Sequence, residues 1–157
     1  MTRTEYLYVT YIAADPQRIW DAIVEPEFTR QYWGHENISE WRPGASWEHR
    51  DADNGTVRIV GKVQEFTPPR RLVLTWADPA DAANPEAHSR VTIELERVTH
   101  AERGSGGMVK LTVKHDRLVP GSEMQQGIEE GWPRVLSSLK SFLETGKPLP
   151  TWAKATN

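Results

Sequence analysis

The sequence predicts a single α+β domain in which a curved antiparallel β-sheet wraps around a long C-terminal helix. Three observations predict it. Alternation of the β type fills most of the stretch from residue 34 to residue 116. A long amphipathic stripe with a signal at each end follows it, and a strand with two short helices precedes it. A chain of 157 residues has the length of one domain with a sizeable core. No internal repeat or linker divides it. The expected boundaries are 1–150 for the domain and 151–157 for a C-terminal tail.

Tyr6 to Ile12 is rich in aromatic and β-branched residues and reads as the first strand. Asp15-Pro16 then starts a helix, because Asp accepts from an orphan N–H and Pro fits the first turn. Ile19, Trp20, Ile23 and Val24 supply its apolar stripe, and Pro26 stops it. A second short helix is expected from about Glu27 to Tyr32, ending near Gly34.

The sheet region opens with Trp47 to Asp51. Asp53-Asn54-Gly55 supplies a hairpin turn that pairs this segment with the strand carrying Val57, Ile59, Gly61 and Val63. Pro68-Pro69-Arg70 breaks that strand before Leu72, Leu74 and Trp76. Val91, Ile93 and Leu95 alternate with Thr92, Glu94 and Glu96, so the two glutamates are expected to face water. A turn at Gly104–Gly107 leads to the last strand, with Val109, Leu111, Val113 and His115 on one face. About six antiparallel strands thus follow the two short helices. Ser122 and Gln125 have capping-box spacing, and Ile128, Trp132, Val135, Leu136, Leu139, Phe142 and Leu143 form the closing helix stripe. Gly146 and Pro148 end it, while Pro133 is expected to bend it near Gly131.

Composition removes several classes of function. A net charge of −3 supplies no basic field for nucleic acid. The absence of cysteine excludes disulfides, thiolate metal sites and a thiol nucleophile. No apolar run suits membrane insertion and no secretory signal opens the chain, so a cytoplasmic location is expected. His35, His49, His88, His100 and His115 show no metal-ligand spacing, and no nucleotide fingerprint appears, so neither metal nor cofactor is expected.

What remains is the seven tryptophans, against four tyrosines and three phenylalanines. Trp20 and Trp132 lie on helix stripes, Trp47 and Trp76 on strands. Trp33 and Trp41 flank the passage into the sheet, and Trp152 sits in the tail. Core packing accounts for any one of them, but a buried indole also needs a partner for its N–H. A sheet wrapped around a helix tends to leave a cavity, and apolar rings with few polar groups suit a hydrophobic or aromatic small molecule. Alternation places His49 with Trp47 and Asp51, and His115 with Val113. Each histidine is either a polar contact in such a cavity or a satisfied strand residue.

The residues also carry a resemblance. The segment Ile12 to Ala22 resembles the opening of START-like (SRPBCC) proteins, which have the helix-grip fold. Trp33, Pro43-Gly44, the run Gly61 to Trp76, Gly131-Trp132 and Leu139 to Gly146 resemble one branch in particular. That branch is the Hsp90 ATPase activator homologue-1-like domain family. Relatives in the superfamily include lipid carriers, hormone receptors and polyketide cyclases. The resemblance implies a ligand cavity under the C-terminal helix. Trp20, Trp33, Trp47, Trp76, Trp132 and Leu136 are the expected walls, with His49 and His115 as polar contacts. A small-molecule or lipid binding protein is the leading expectation. The alternatives are a polyketide-cyclase or hydrolase-like enzyme using a pocket histidine as acid–base, and a cochaperone-like interaction module. A homodimer is left open.

Overall fold

Asp15 caps the first helix as its side chain accepts from the Gln17 N–H at 2.7 Å, and Pro16 fills the first turn. In this computed structural model, which describes residues 2–98 and 107–150, that helix is α1 (Pro16–Val24). His100, Trp152, the tail from residue 151 and residues 104–106 of the expected turn lie outside the described residues. Before α1 runs β1 (Thr4–Ile12); after it come α2 (Pro26–Tyr32), β2 (His35–Ser39), β3 (Ser46–Asp51) and β4 (Val57–Thr67). Next are β5 (Arg71–Trp76), β6 (Ser89–Val98), β7 (Met108–Leu118) and α3 (Glu123–Thr145). Two single 3-10 turns, Pro79–Asp81 and Pro85–Ala87, fill the long β5–β6 connection.

The seven strands form one antiparallel sheet in the order β1-β7-β6-β5-β4-β3-β2. Strands β2 to β7 follow one another as a meander, and β1 closes onto β7 at the far edge. Period-two alternation decides which face is covered. Leu111, Val113 and His115 on β7 are fully buried with Val91, Ile93 and Leu95 of β6, while Glu94 and Glu96 face water as expected. A register shift between Val63 and Glu65 leaves Gln64 and Glu65 both outside and returns Phe66 to the inner face.

The long helix lies on the concave face. Ser122 accepts from the Gln125 N–H at 3.1 Å, and the Gln125 side chain accepts from the Gly121 N–H at 2.7 Å. Gly146 closes the helix in the left-handed conformation, at φ 81°. The helix runs through Pro133 without interruption of its span. Its buried stripe is Ile128, Trp132, Val135, Leu136, Leu139 and Leu143, with Ser138 among them. Ser138 donates to the Tyr32 carbonyl and Tyr32 donates to the Ala22 carbonyl, both at 2.8 Å, so α3 is pinned to α2 and α2 to α1.

One close approach shapes the inner face. At Gly61 an added Cβ would overlap the Thr75 carbonyl oxygen on β5 and stand 2.5 Å from Trp47 Nε1. The missing side chain lets the Trp47 indole lie across β4 and donate to the Thr75 carbonyl at 2.8 Å. That bond satisfies the one polar atom of a ring that is only 1 % exposed.

Candidate functional site

Trp20, Trp47, Trp76 and Trp132 lie on α1, β3, β5 and α3, Trp33 caps α2, and four of these five touch in a chain. Trp47 meets Trp76 (ring centres 5.2 Å apart), Trp76 meets Trp132 (5.6 Å) and Trp132 meets Trp33 (5.8 Å). The remaining described indoles, Trp20 and Trp41, both pack on Phe66. Four of these contacts are tilted and the Trp41–Phe66 pair is stacked, with ring centres 5.2–6.0 Å apart, within the range aromatic pairs favour. Indole bulk fills the interior: the deepest void, between Trp33, Trp47, Trp76 and Trp132, holds only about 20 Å³. The enclosed cavity expected beneath the helix is therefore replaced by a filled aromatic core. A pocket of about 320 Å³ with largely apolar walls lies at the N-terminal end of α3, opening outward past Arg58, Asp78 and Glu123.

Trp33, Trp76, Trp132 and His49 of the expected site line this pocket. The other four expected residues do not. Trp20 belongs to the α1 stripe, Leu136 packs into the main core, Trp47 is sealed behind Trp76 and His115 is fully buried. Periodicity identifies the inward face of an element but not the depth at which a ring ends, and that depth divides the eight.

His115 is part of a closed chain of hydrogen bonds. The Trp132 indole N–H donates to His115 Nδ1 at 3.1 Å. An indole can only donate, so Nδ1 is bare and the proton sits on Nε2. Nε2–H donates to Ser89 Oγ at 2.7 Å, and the Ser89 hydroxyl donates to the Trp76 carbonyl at 3.0 Å. Every position is used. Burial lowers the His115 pKa to about 4, so the ring is neutral at ordinary pH. This histidine joins α3 to β5, β6 and β7 and has no group left to offer a ligand.

His49 differs. Its Nδ1–H donates to Asn37 Oδ1 at 2.8 Å, and the Asn37 amide donates to the Ile23 carbonyl at 3.2 Å. The proton thus sits on Nδ1, and Nε2 is a lone-pair acceptor that no described residue engages. Burial first, and then the neighbouring His35, lower the His49 pKa to about 3. The two rings stack, 4.6 Å between centres and 16° between planes. His35 places Nδ1 2.9 Å from the Trp33 carbonyl and Nε2 3.0 Å from Asp51 Oδ1. Both partners are acceptors. Arg58 binds the other Asp51 oxygen through Nε at 3.0 Å and Nη2 at 2.6 Å, which holds the Asp51 carboxyl below its usual range.

The sequence reading missed the rest of the lining. Met124, Ile128 and Val135 add apolar surface from α3, and Ile59 from β4. Gly127 and Gly131 sit four residues apart on the same helix, and a Cβ at either would meet nothing within 4 Å. Asp78 and Glu123 stand at the mouth. A glycine pair at helical spacing facing the expected cavity was the available signal. Among the described residues no group of three or more histidine or acidic side chains could hold a metal ion. No described helix is long and apolar enough to cross a membrane.

The chain's relatives agree with this architecture. Residues 13–144 match the family model described as activator of Hsp90 ATPase homolog 1-like protein. No curated protein matches the sequence. Among solved structures, the Aha1 dimer from Colwellia psychrerythraea is similar, with 20% identity, TM-score 0.72 and coverage of 92% of this chain and 98% of that one. An Hsp90 activator from Plasmodium falciparum is similar at 18% identity and TM-score 0.68, covering 88% of this chain and 95% of that one. CalU16 from Micromonospora echinospora gives 22% identity, TM-score 0.63 and coverage of 93% and 77%. At these identities the likeness is one of fold.

Proposed function

We propose, from the premise that the chain belongs to the activator of Hsp90 ATPase homolog 1-like family, that it binds a hydrophobic or aromatic small molecule. The ligand would sit in the pocket formed by Trp33, Trp76, Trp132 and His49. One observation carries this reading: three indoles, from β5, α3 and the C-cap of α2, meet around a 320 Å³ opening that also presents an unengaged acceptor. Pockets of this size with apolar walls and few polar groups are typical of small-molecule sites.

An acid–base enzyme is less well supported. His115 is committed at both nitrogens, and His49 takes up a second proton only in strongly acidic conditions. A general base works best with a pKa near the operating pH. A role as a protein-interaction module draws on the Hsp90 activator with which the chain shares its fold, and a homodimer draws on the Aha1 dimer.

Tryptophan fluorescence tests the binding reading, since three reporters line the site. Titration with a library of aromatic and acyl compounds is expected to quench emission and raise the melting temperature. Trp132→Phe, which keeps a ring but shrinks the wall, should weaken the response. A library that leaves both fluorescence and melting unchanged would refute the proposal.

A further inference from the structure

The charged and imidazole groups around the pocket divide unevenly between donors and acceptors. Arg58 gives Nε and Nη2 to Asp51, and the two nitrogens of His35 face the Trp33 carbonyl and Asp51. The acceptors are unspent. No described residue bonds the carboxylates of Asp78 and Glu123 at the mouth. Deeper in, His49 is 5 % exposed, lines the pocket and keeps an unengaged Nε2 lone pair. The indole N–H groups of Trp33 and Trp76 have no partner among the described residues, but they are neutral and leave this balance of charge unchanged.

We infer that the ligand of this pocket is an organic cation, an ammonium group carried on an apolar or aromatic body. The inference rests on the binding reading above and names its ligand class. An ammonium supplies donors, which the carboxylates of Asp78 and Glu123 and the Nε2 lone pair of His49 can accept. Its positive charge is attracted to indole faces, and a desolvated cation–π contact is among the stronger ones. The arrangement is graded: Asp78 and Glu123 draw a cation to the mouth, and the rings of Trp33, Trp76 and Trp132 receive it. His49 Nε2 then accepts an N–H inside. A carboxylate ligand would meet two like charges at the mouth and a bare lone pair within.

Three probes of nearly equal shape separate the possibilities: naphthylmethylammonium, ethylnaphthalene and naphthylacetate. Calorimetric titration of the intact chain is expected to show the ammonium binding at least tenfold more tightly than ethylnaphthalene, with naphthylacetate weakest. The double variant Asp78→Asn, Glu123→Gln should remove most of that preference. Equal or tighter binding of ethylnaphthalene or naphthylacetate to the unaltered chain overturns the cation assignment and leaves the pocket reading standing. Failure of all three probes overturns the pocket reading as well.

Discussion

Gly127→Ala and Gly131→Ala, made together, are expected to stabilise the fold and damage the pocket. Both residues lie inside α3, where glycine is less favourable than alanine by about 0.8–1.0 kcal/mol per position. No heavy atom lies within 4 Å of the place either Cβ would take, so no packing penalty offsets the gain. The pair should add roughly 1.6–2 kcal/mol, since each site contributes its propensity independently. For a chain of this length that corresponds to a melting temperature higher by about 4–8 °C. Both methyl groups enter the ligand space from the α3 wall. Overpacking of a filled site costs about 1–3 kcal/mol, so naphthylmethylammonium should bind roughly ten- to a hundredfold more weakly. Thermal unfolding followed by circular dichroism, with calorimetric titration of the same samples, reads both signs. A double variant that melts no higher than the parent refutes the account of open space. One that melts higher yet binds unchanged refutes the placement of the ligand.

Two further predictions concern the buried histidines. Ser89→Ala leaves His115 Nε2–H and the Trp76 carbonyl without their partner, and an unsatisfied buried group costs about 1–3 kcal/mol; urea unfolding that shows a loss below about 0.5 kcal/mol would contradict the proton assignment. The native pKa values of about 4 for His115 and about 3 for His49 lie below the unfolded value near 6.5, so the unfolded chain takes up more protons as pH falls below that value. Stability is full above pH 6.5 and should drop towards pH 4 by about 1.4 kcal/mol per pH unit for each ring. Urea titrations at pH 7, 6 and 5 that superimpose would exclude buried neutral histidines.

Legibility in the sequence followed the range of the interaction. Signals that act over three or four residues were plain: the Asp15 cap with Pro16, the Ser122–Gln125 box, the Gly146 stop and the Asn54-Gly55 turn pairing β3 with β4. Alternation likewise set the faces of Trp47, His49 and His115, since side chains two apart share a side. β2 could not be located, because His35-Glu36-Asn37-Ile38-Ser39 has no apolar alternation and is held by its register with β3. The bulge at Gln64-Glu65 was hidden for the same reason, as only the partner strand defines it. Half of the expected site residues line the pocket. What separated them was a close approach between strands at Gly61 and a hydrogen-bond chain across Ser89, both set by contacts distant in sequence.

The placement of β1 beside β7 has a consequence for synthesis of the chain. β1 ends at Ile12 and its partner begins at Met108, so roughly a hundred residues must be made before the edge can close. At ~5–20 residues per second that is on the order of 5–20 s. Meanwhile β2 to β6 can pair successively as they emerge, each with the strand just made. The first strand instead waits with the side chains that the fold later covers, Tyr6, Tyr8 and Ile12, still open to solvent, while Leu7, Val9 and Tyr11 on its other face stay exposed in the folded sheet. Of the seven strands, the one made first is the last to find its place in the sheet.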